Sequence, residues 1–162
     1  MGHCDASNAE ILVYTYREGL LAAVGHDLCL TVTRWKADVG ADDTVVAEID
    51  AASLRASGVS ADDARKIEGN AANDVLAARR FPTITFRSSR VVRDGERARV
   101  EGTLTLHGTT RPCAFDAVAD GASWRTEVRL DVRDYGIKPY SAMFGTLRVR
   151  ADVRVTIRVP RA

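Results

Sequence analysis

Two short stretches of this sequence carry residue types that could do chemistry, and a third carries an unusual concentration of aromatic side chains. The first is "GHDLC", residues 25–29, where His26, Asp27 and Cys29 supply a base, a carboxylate and a nucleophile, the ingredients of a thiol-dependent or hydrolase-like centre. Spacing works against that use. On an extended chain neighbouring side chains point to opposite faces, so His26 and Asp27 cannot converge on one atom, and His26 and Cys29 also face apart. The second is "EGTLTLHGTTRP", residues 101–112, which ends a run of alternating Leu and Thr on His107. Over 97–107 the apolar set is Ala98, Val100, Gly102, Leu104 and Leu106, which leaves Thr103, Thr105 and His107 on the opposite face just before a turn at Gly108. His107 is therefore expected to tie down the 108–111 turn by a structural hydrogen bond, not to catalyse. His3, His26 and His107 lie in separate segments without an H-x-x-x-H or a paired C-x-x-C, so no metal and no cofactor is expected.

The third stretch, "RDYGI" at 133–137, opens the long connection 134–146, which holds Tyr135, Ile137, Tyr140, Met143 and Phe144. A loop this rich in apolar rings must pack on something apolar. It reads either as a plug that fills one end of the fold or as a lid over a ligand, anchored by Arg133 or Asp134 through a charge-assisted hydrogen bond.

The elements that would position these residues follow a period of two. In "SWRTEVRLDVRDYG", Trp124, Thr126, Val128, Leu130 and Val132 share one face and Arg125, Glu127, Arg129, Asp131 and Arg133 the other. The same alternation runs through 147–159, and further strands are expected at 11–16, 26–39, 44–50, 83–92, 97–107 and 112–119. One segment departs from it. From Ser60 to about Arg79, Ala64, Ile67, Ala71, Val75 and Ala78 recur at helical spacing, with Ser60 and Asp63 as a capping pair and Pro82 closing the run. About eight long strands with one dry face each can form a sandwich or a barrel, and strand length together with a single covering helix favours the barrel, which leaves no open edge.

Composition narrows the function classes. With 46% hydrophobic residues in 162, the chain can build one domain over 1–162 with a real core, and a formal net charge of +1 leaves no excess for sequence-independent nucleic-acid binding. Cys4, Cys29 and Cys113 are an odd number at wide spacing, which argues for a reducing compartment. The N-terminus lacks a basic region and a long apolar run, so neither an export signal nor a membrane span is expected and the reading is cytoplasmic.

"FPTITFRSS" (81–89), "EGTLTLHGTTRP" (101–112) and "RDYGI" (133–137) stand in the order and at roughly the spacings of the YceI-like family, and "NDVLAARRFP" resembles that family's helix end and the strand that follows. The resemblance is looser through 26–50 and departs at 57–72. It implies an all-β, single-domain, eight-stranded antiparallel lipocalin-like β-barrel with one amphipathic helix, a bound isoprenoid-like chain and no established catalysis. Many family members are exported, which the N-terminus here does not mirror. Facing alone puts Phe86, Leu104, Phe115, Trp124, Val128 and Leu130 on the interior, joined at one rim by Ile137, Tyr140, Met143 and Phe144 as ligand contacts. The expected function is non-catalytic binding or transport of an isoprenoid-, quinone- or fatty-acid-like small molecule, with a homodimer as one form. The alternatives are an enzyme around His26 and Cys29, or an empty barrel that binds a protein partner. Burying about ten methylenes at roughly 0.8 kcal/mol each yields about 8 kcal/mol, enough for micromolar affinity before association costs.

Overall fold

A computed structural model of the chain describes residues 2–18, 27–142, 145 and 147–161. In chain order the strands are β1 (Gly2–Asp5), β2 (Glu10–Thr15), β3 (Arg17–Glu18), β4 (Leu28–Val32), β5 (Trp35–Val39), β6 (Val45–Asp50) and β7 (Leu54–Ala56), then β8 (Thr83–Asp94), β9 (Arg97–Leu106), β10 (Thr109–Asp120), β11 (Ser123–Asp131), β12 (Ser141–Ala142), β13 (Leu147–Val149) and β14 (Asp152–Pro160). Between β7 and β8 lies α1 (Ala61–Gly69), which widens into a π-helical turn over Asn70–Val75.

All pairings are antiparallel, in the order β1-β5-β6-β8-β9-β10-β11-β14-β2-β4-β7. The ladder closes on itself, because β1 and β2 are two halves of one stretch, as are β4 and β5, and β6 and β7. Taken as whole stretches, eight strands form a ring, each hydrogen-bonded to the next and the last, β14, back to β2. Three of the eight are bent. At one corner Trp35 pairs with Ile49 and Val32 with Leu54, so the two residues 33–34 face the four residues 50–53. Buried Ser53 holds this corner, its hydroxyl donating to the Asp50 carbonyl at 2.7 Å while its own carbonyl accepts from the Thr33 amide and hydroxyl. Past the corner β7 leaves β8, and α1 covers the freed edge, with the Glu68 carboxylate accepting from the Ala56 amide. The long strand read over 147–159 is also broken, at Arg150 and Ala151, where the Arg150 amide donates to the Tyr16 carbonyl and the Ala151 carbonyl accepts from Val132.

The barrel's two ends are built differently. One is closed by short turns between β5 and β6, β8 and β9, and β10 and β11. The other carries α1, the connection after β11, and a small sheet in the order β12-β13-β3. The helix begins as expected, the Ser60 hydroxyl accepting from the Asp63 amide at 3.1 Å. Regular α-helix ends at Gly69, short of the expected Arg79, and the turn that follows bonds Leu76 to Ala71, five residues back.

His107 differs from its expectation. With φ of 55° and 72°, His107 and Gly108 form a two-residue left-handed hairpin turn, so β10 starts at Thr109 and not at 112. The imidazole lies against Phe81, centroids 4.6 Å apart, and among the described residues it makes no hydrogen bond. A tilted ring contact, with the Phe81 ring filling the space a Cβ on Gly108 would need, is what fixes this turn.

The bulge between Ser88 and Arg90 in β8 reverses that strand's facing, so Val91 and Arg93 point inward and Val92 is left exposed. Gly102 sits opposite that bulge. It leaves no room in the interior, because a Cβ there would lie 2.3 Å from the Arg87 carbonyl oxygen and 2.8 Å from the Phe86 ring. Gly102→Ala is therefore expected to cost about 2–3 kcal/mol through overpacking. Gly69→Ala, in helical geometry with open space around it, should stabilise by about 0.5–1 kcal/mol. Urea midpoints at unchanged slope check both, and a neutral Gly102→Ala would contradict the close approach.

At the turn end the His3 ring lies between two carboxylates, 2.8 Å from Asp38 and 3.3 Å from Asp5, and its pKa is raised, chiefly by the hydrogen bond to Asp38. A raised pKa stabilises the folded state where the imidazole is protonated. Its contribution to holding β1 should be complete below about pH 6.5 and lost as pH rises through the folded value. Amide exchange of β1 in wild type and His3→Gln should differ at pH 6 and converge at alkaline pH; equal protection at both would rule the contact out.

Candidate functional site

Inward-facing residues of all eight strands surround a cavity of about 570 Å³ that runs the length of the barrel. Its wall is built mainly from small and branched side chains, among them Val13, Val32, Ala37, Ala47, Val100, Ala117, Val155 and Ile157. At the helix end it is bounded by Ile67, Ala71, Val75 and Leu76, and at the turn end by Val39, Arg93, Trp124 and Val159. A cavity of this size, apolar through its middle, fits a slender ligand that needs no polar partner along its length.

Phe86, Leu104, Phe115, Trp124, Val128, Leu130, Ile137 and Tyr140 all face this cavity. Phe86 and Phe115, on the two strands that flank β9, touch along the wall over Gly102, ring centroids 5.4 Å apart. Met143 and Phe144 lie outside the described residues. The first half of the 134–146 connection is packed into the helix end of the barrel. Tyr135 and Ile137 are 3% and 2% exposed, in one core cluster with Phe86, Val100, Leu104 and Leu106, and burial pushes the Tyr135 phenol up. Arg133, expected as its anchor, is exposed, and its guanidinium meets both oxygens of Asp131, two residues back, at 3.0 and 2.7 Å while the Asp131 carboxylate also accepts from the Arg133 amide. Asp134 is exposed and takes no part in that pair.

Reasoning from facing alone did not single out two cysteines. Cys4 and Cys113 line the cavity, and burial pushes both thiols up. Cys113 alternates with Phe115 and Ala117 along β10, so the strand period carried the signal. The inner helix residues Ile67, Ala71 and Val75 were legible as an apolar stripe but not as a wall of the site. Cys29 points the other way: on the outer wall it pairs with Tyr14, whose phenol is pushed up chiefly by their hydrogen bond. A thiol reaction at Cys29 would thus take place outside the barrel, and His26 lies outside the described residues. Among the described residues no group of three or more His, Cys, Asp or Glu side chains could hold a metal. No helix among them is long and apolar enough to cross a membrane.

Comparison with known proteins agrees with this architecture. The family model described as "YceI-like domain" matches residues 11–160. A UPF0312 protein of Pseudomonas putida is 31% identical over 111 residues, 62% of this chain and 58% of that relative. The chain spans less than two thirds of the length of the curated relatives it first matches. Among solved structures, BcnA of Burkholderia cenocepacia superposes with a TM-score of 0.73 at 16% identity, covering 98% of this chain and 99% of that one. A polyisoprenoid binding domain from Saccharophagus degradans, implicated in plant cell wall breakdown, gives 0.64 at 12% identity, covering 96% and 94%. At such identities these two show a shared fold. The family model covers nearly all of the barrel, and the chain belongs to the YceI-like family.

Proposed function

We propose that this protein is a non-catalytic carrier that holds one long apolar chain, isoprenoid-, quinone- or fatty-acid-like, inside its barrel. The observation that carries the reading is the cavity itself, about 570 Å³ and continuous from the helix end to the turn end. Protein interiors are close-packed, so a void this long inside a hydrogen-bonded ring calls for an occupant. The name of the Saccharophagus degradans domain, polyisoprenoid binding, supports an isoprenoid as one such occupant. Binding would draw on burial of the chain's methylenes, which selects by length and girth and not by hydrogen bonds. A reducing, cytoplasmic setting belongs to the same proposal, supported by the free thiols Cys4, Cys29 and Cys113.

Those thiols supply the test. An occupant of the barrel should shield Cys4 and Cys113, which line the cavity, and leave Cys29 on the outer wall as reactive as before. Labelling with a maleimide at mildly alkaline pH, read peptide by peptide, is expected to fall at least about fivefold at Cys113 when a long-chain polyene is added. Equal labelling of Cys113 with and without the polyene would contradict the carrier reading. Organic extraction of protein purified from its own host should release a stoichiometric apolar molecule, identified by mass spectrometry.

A further inference from the structure

Arginines line both ends of the cavity: Arg17, Arg148 and Arg150 at the helix end, where Arg148 meets Glu18 and Arg150 meets Asp152, and Arg93 at the turn end, where guanidiniums flank an indole that a purely apolar occupant does not use. Arg93 is the last inward-pointing residue of β8, brought inside by the bulge between Ser88 and Arg90. Its guanidinium lies over the Trp124 indole, 5.6 Å from the centroid, and its ion-pair partner among the described residues is Asp43 at 3.5 Å. Arg161, just past β14, places a second guanidinium 5.0 Å from the same centroid, with one long bond of 3.5 Å to the Gly121 carbonyl. Asp43, Arg93 and Trp124 all line the cavity. The apolar tunnel thus ends on an aromatic plate with two guanidiniums, each carrying about five N–H donors, opposed by one carboxylate.

Asp43 itself is held in an uncommon way. In the turn between β5 and β6 it takes a left-handed φ of 64°, a position glycine would fill at less cost, and its carboxylate meets Arg93. Both partners are well exposed, at 50% and 36%, so the pair is weak and exchanges readily for a better anion.

We propose that this end of the barrel is a headgroup site for an anionic amphiphile. A carboxylate or phosphate at the end of a long apolar chain displaces Asp43 from Arg93 and is held by Arg93 and Arg161 beside Trp124, with the chain running back into the cavity. The inference rests on the reading that the cavity holds such a chain, and adds to it the charge and direction of the occupant. Burial of methylenes does not distinguish a fatty acid from its methyl ester; paired guanidiniums do. A mere latch across the barrel end would make the same resting contacts without preferring an anion.

Trp35→Phe leaves Trp124 as the sole tryptophan and its fluorescence as a local reporter. In that background, palmitate and palmityl phosphate are expected to bind about tenfold or more tighter than methyl palmitate. The Arg93→Gln/Arg161→Gln double variant should abolish this preference, bringing palmitate and palmityl phosphate to within about twofold of methyl palmitate measured on the same variant. Asp43→Asn should tighten both anions by about threefold, since it removes the competing carboxylate. Arg161→Gln alone, at an exposed terminal residue, keeps the test open if the double variant fails to fold. Equal binding of all three probes, a preference that survives the double variant, or weaker anion binding by Asp43→Asn would overturn the headgroup site and leave the carrier reading standing. Inorganic phosphate bound as tightly as palmityl phosphate would also overturn it, since recognition would then not involve the chain. Binding of none of the three would overturn both.

Discussion

Each long strand of the barrel is hydrogen-bonded to two neighbours, and that closed ring sets the perimeter of the interior whatever side chains point into it. Eight strands enclose a space that large side chains can just fill or that smaller ones leave open. Here the inward positions are held mostly by valine, leucine, isoleucine and alanine, with Trp35, Phe86, Phe115 and Trp124 as the aromatic exceptions on the strands. The perimeter cannot shrink to meet the smaller side chains without breaking ladder bonds, each of which would leave polar groups unpaired. The cavity follows from this mismatch between a fixed wall and small contents.

The same constraint explains why the ends differ. Turns at one end join neighbours in the ring and need only a few residues. At the other, β7 diverges from β8, and α1 fills the opening between them. Its edge is tied through Glu68 to Ala56 and its inner face looks into the cavity. No residue of α1 is fully buried, so the helix rests on a void more than on a core. Tyr135 and Ile137 do the opposite at the same end, wedged among Phe86, Leu104 and Leu106 as part of the packed wall. A ligand passing this end would move the helix side more readily than the plug, because fewer buried contacts hold it.

Much of this architecture was legible in the sequence because period two survives wherever a strand runs straight, as it does along β9, β10 and β11. Where strands bend, the period misleads. The break at Arg150–Ala151 lies inside a run whose alternation continues unbroken, whereas at the Ser53 corner the inward set changes phase, from Val32 to Trp35 and from Ile49 to Leu54, without a Gly or Pro to mark the two-residue offset between partners. The bulge in β8 is the clearest instance. Counting by twos from Phe86 puts Val92 inside and Arg93 outside, whereas Val92 is exposed and Arg93 lines the cavity. The position of His107 depends on left-handed dihedrals that neighbouring glycine hints at but does not dictate. Legible facing found the greasy middle of the site, and the inward turn of Arg93 stayed hidden behind one extra residue in one strand.

The central claim, that the interior is an open tunnel and not a packed core, is tested most directly by filling it. Ala117 lines the cavity on β10 and is buried beside Ala98 on the neighbouring strand. If the space is open, Ala117→Phe should leave urea stability within about 1 kcal/mol of wild type or raise it, and should weaken binding of a fluorescent polyene by about tenfold or more. Destabilisation by about 1–3 kcal/mol, with polyene binding unchanged, would mean that the interior is already full and that the account is wrong.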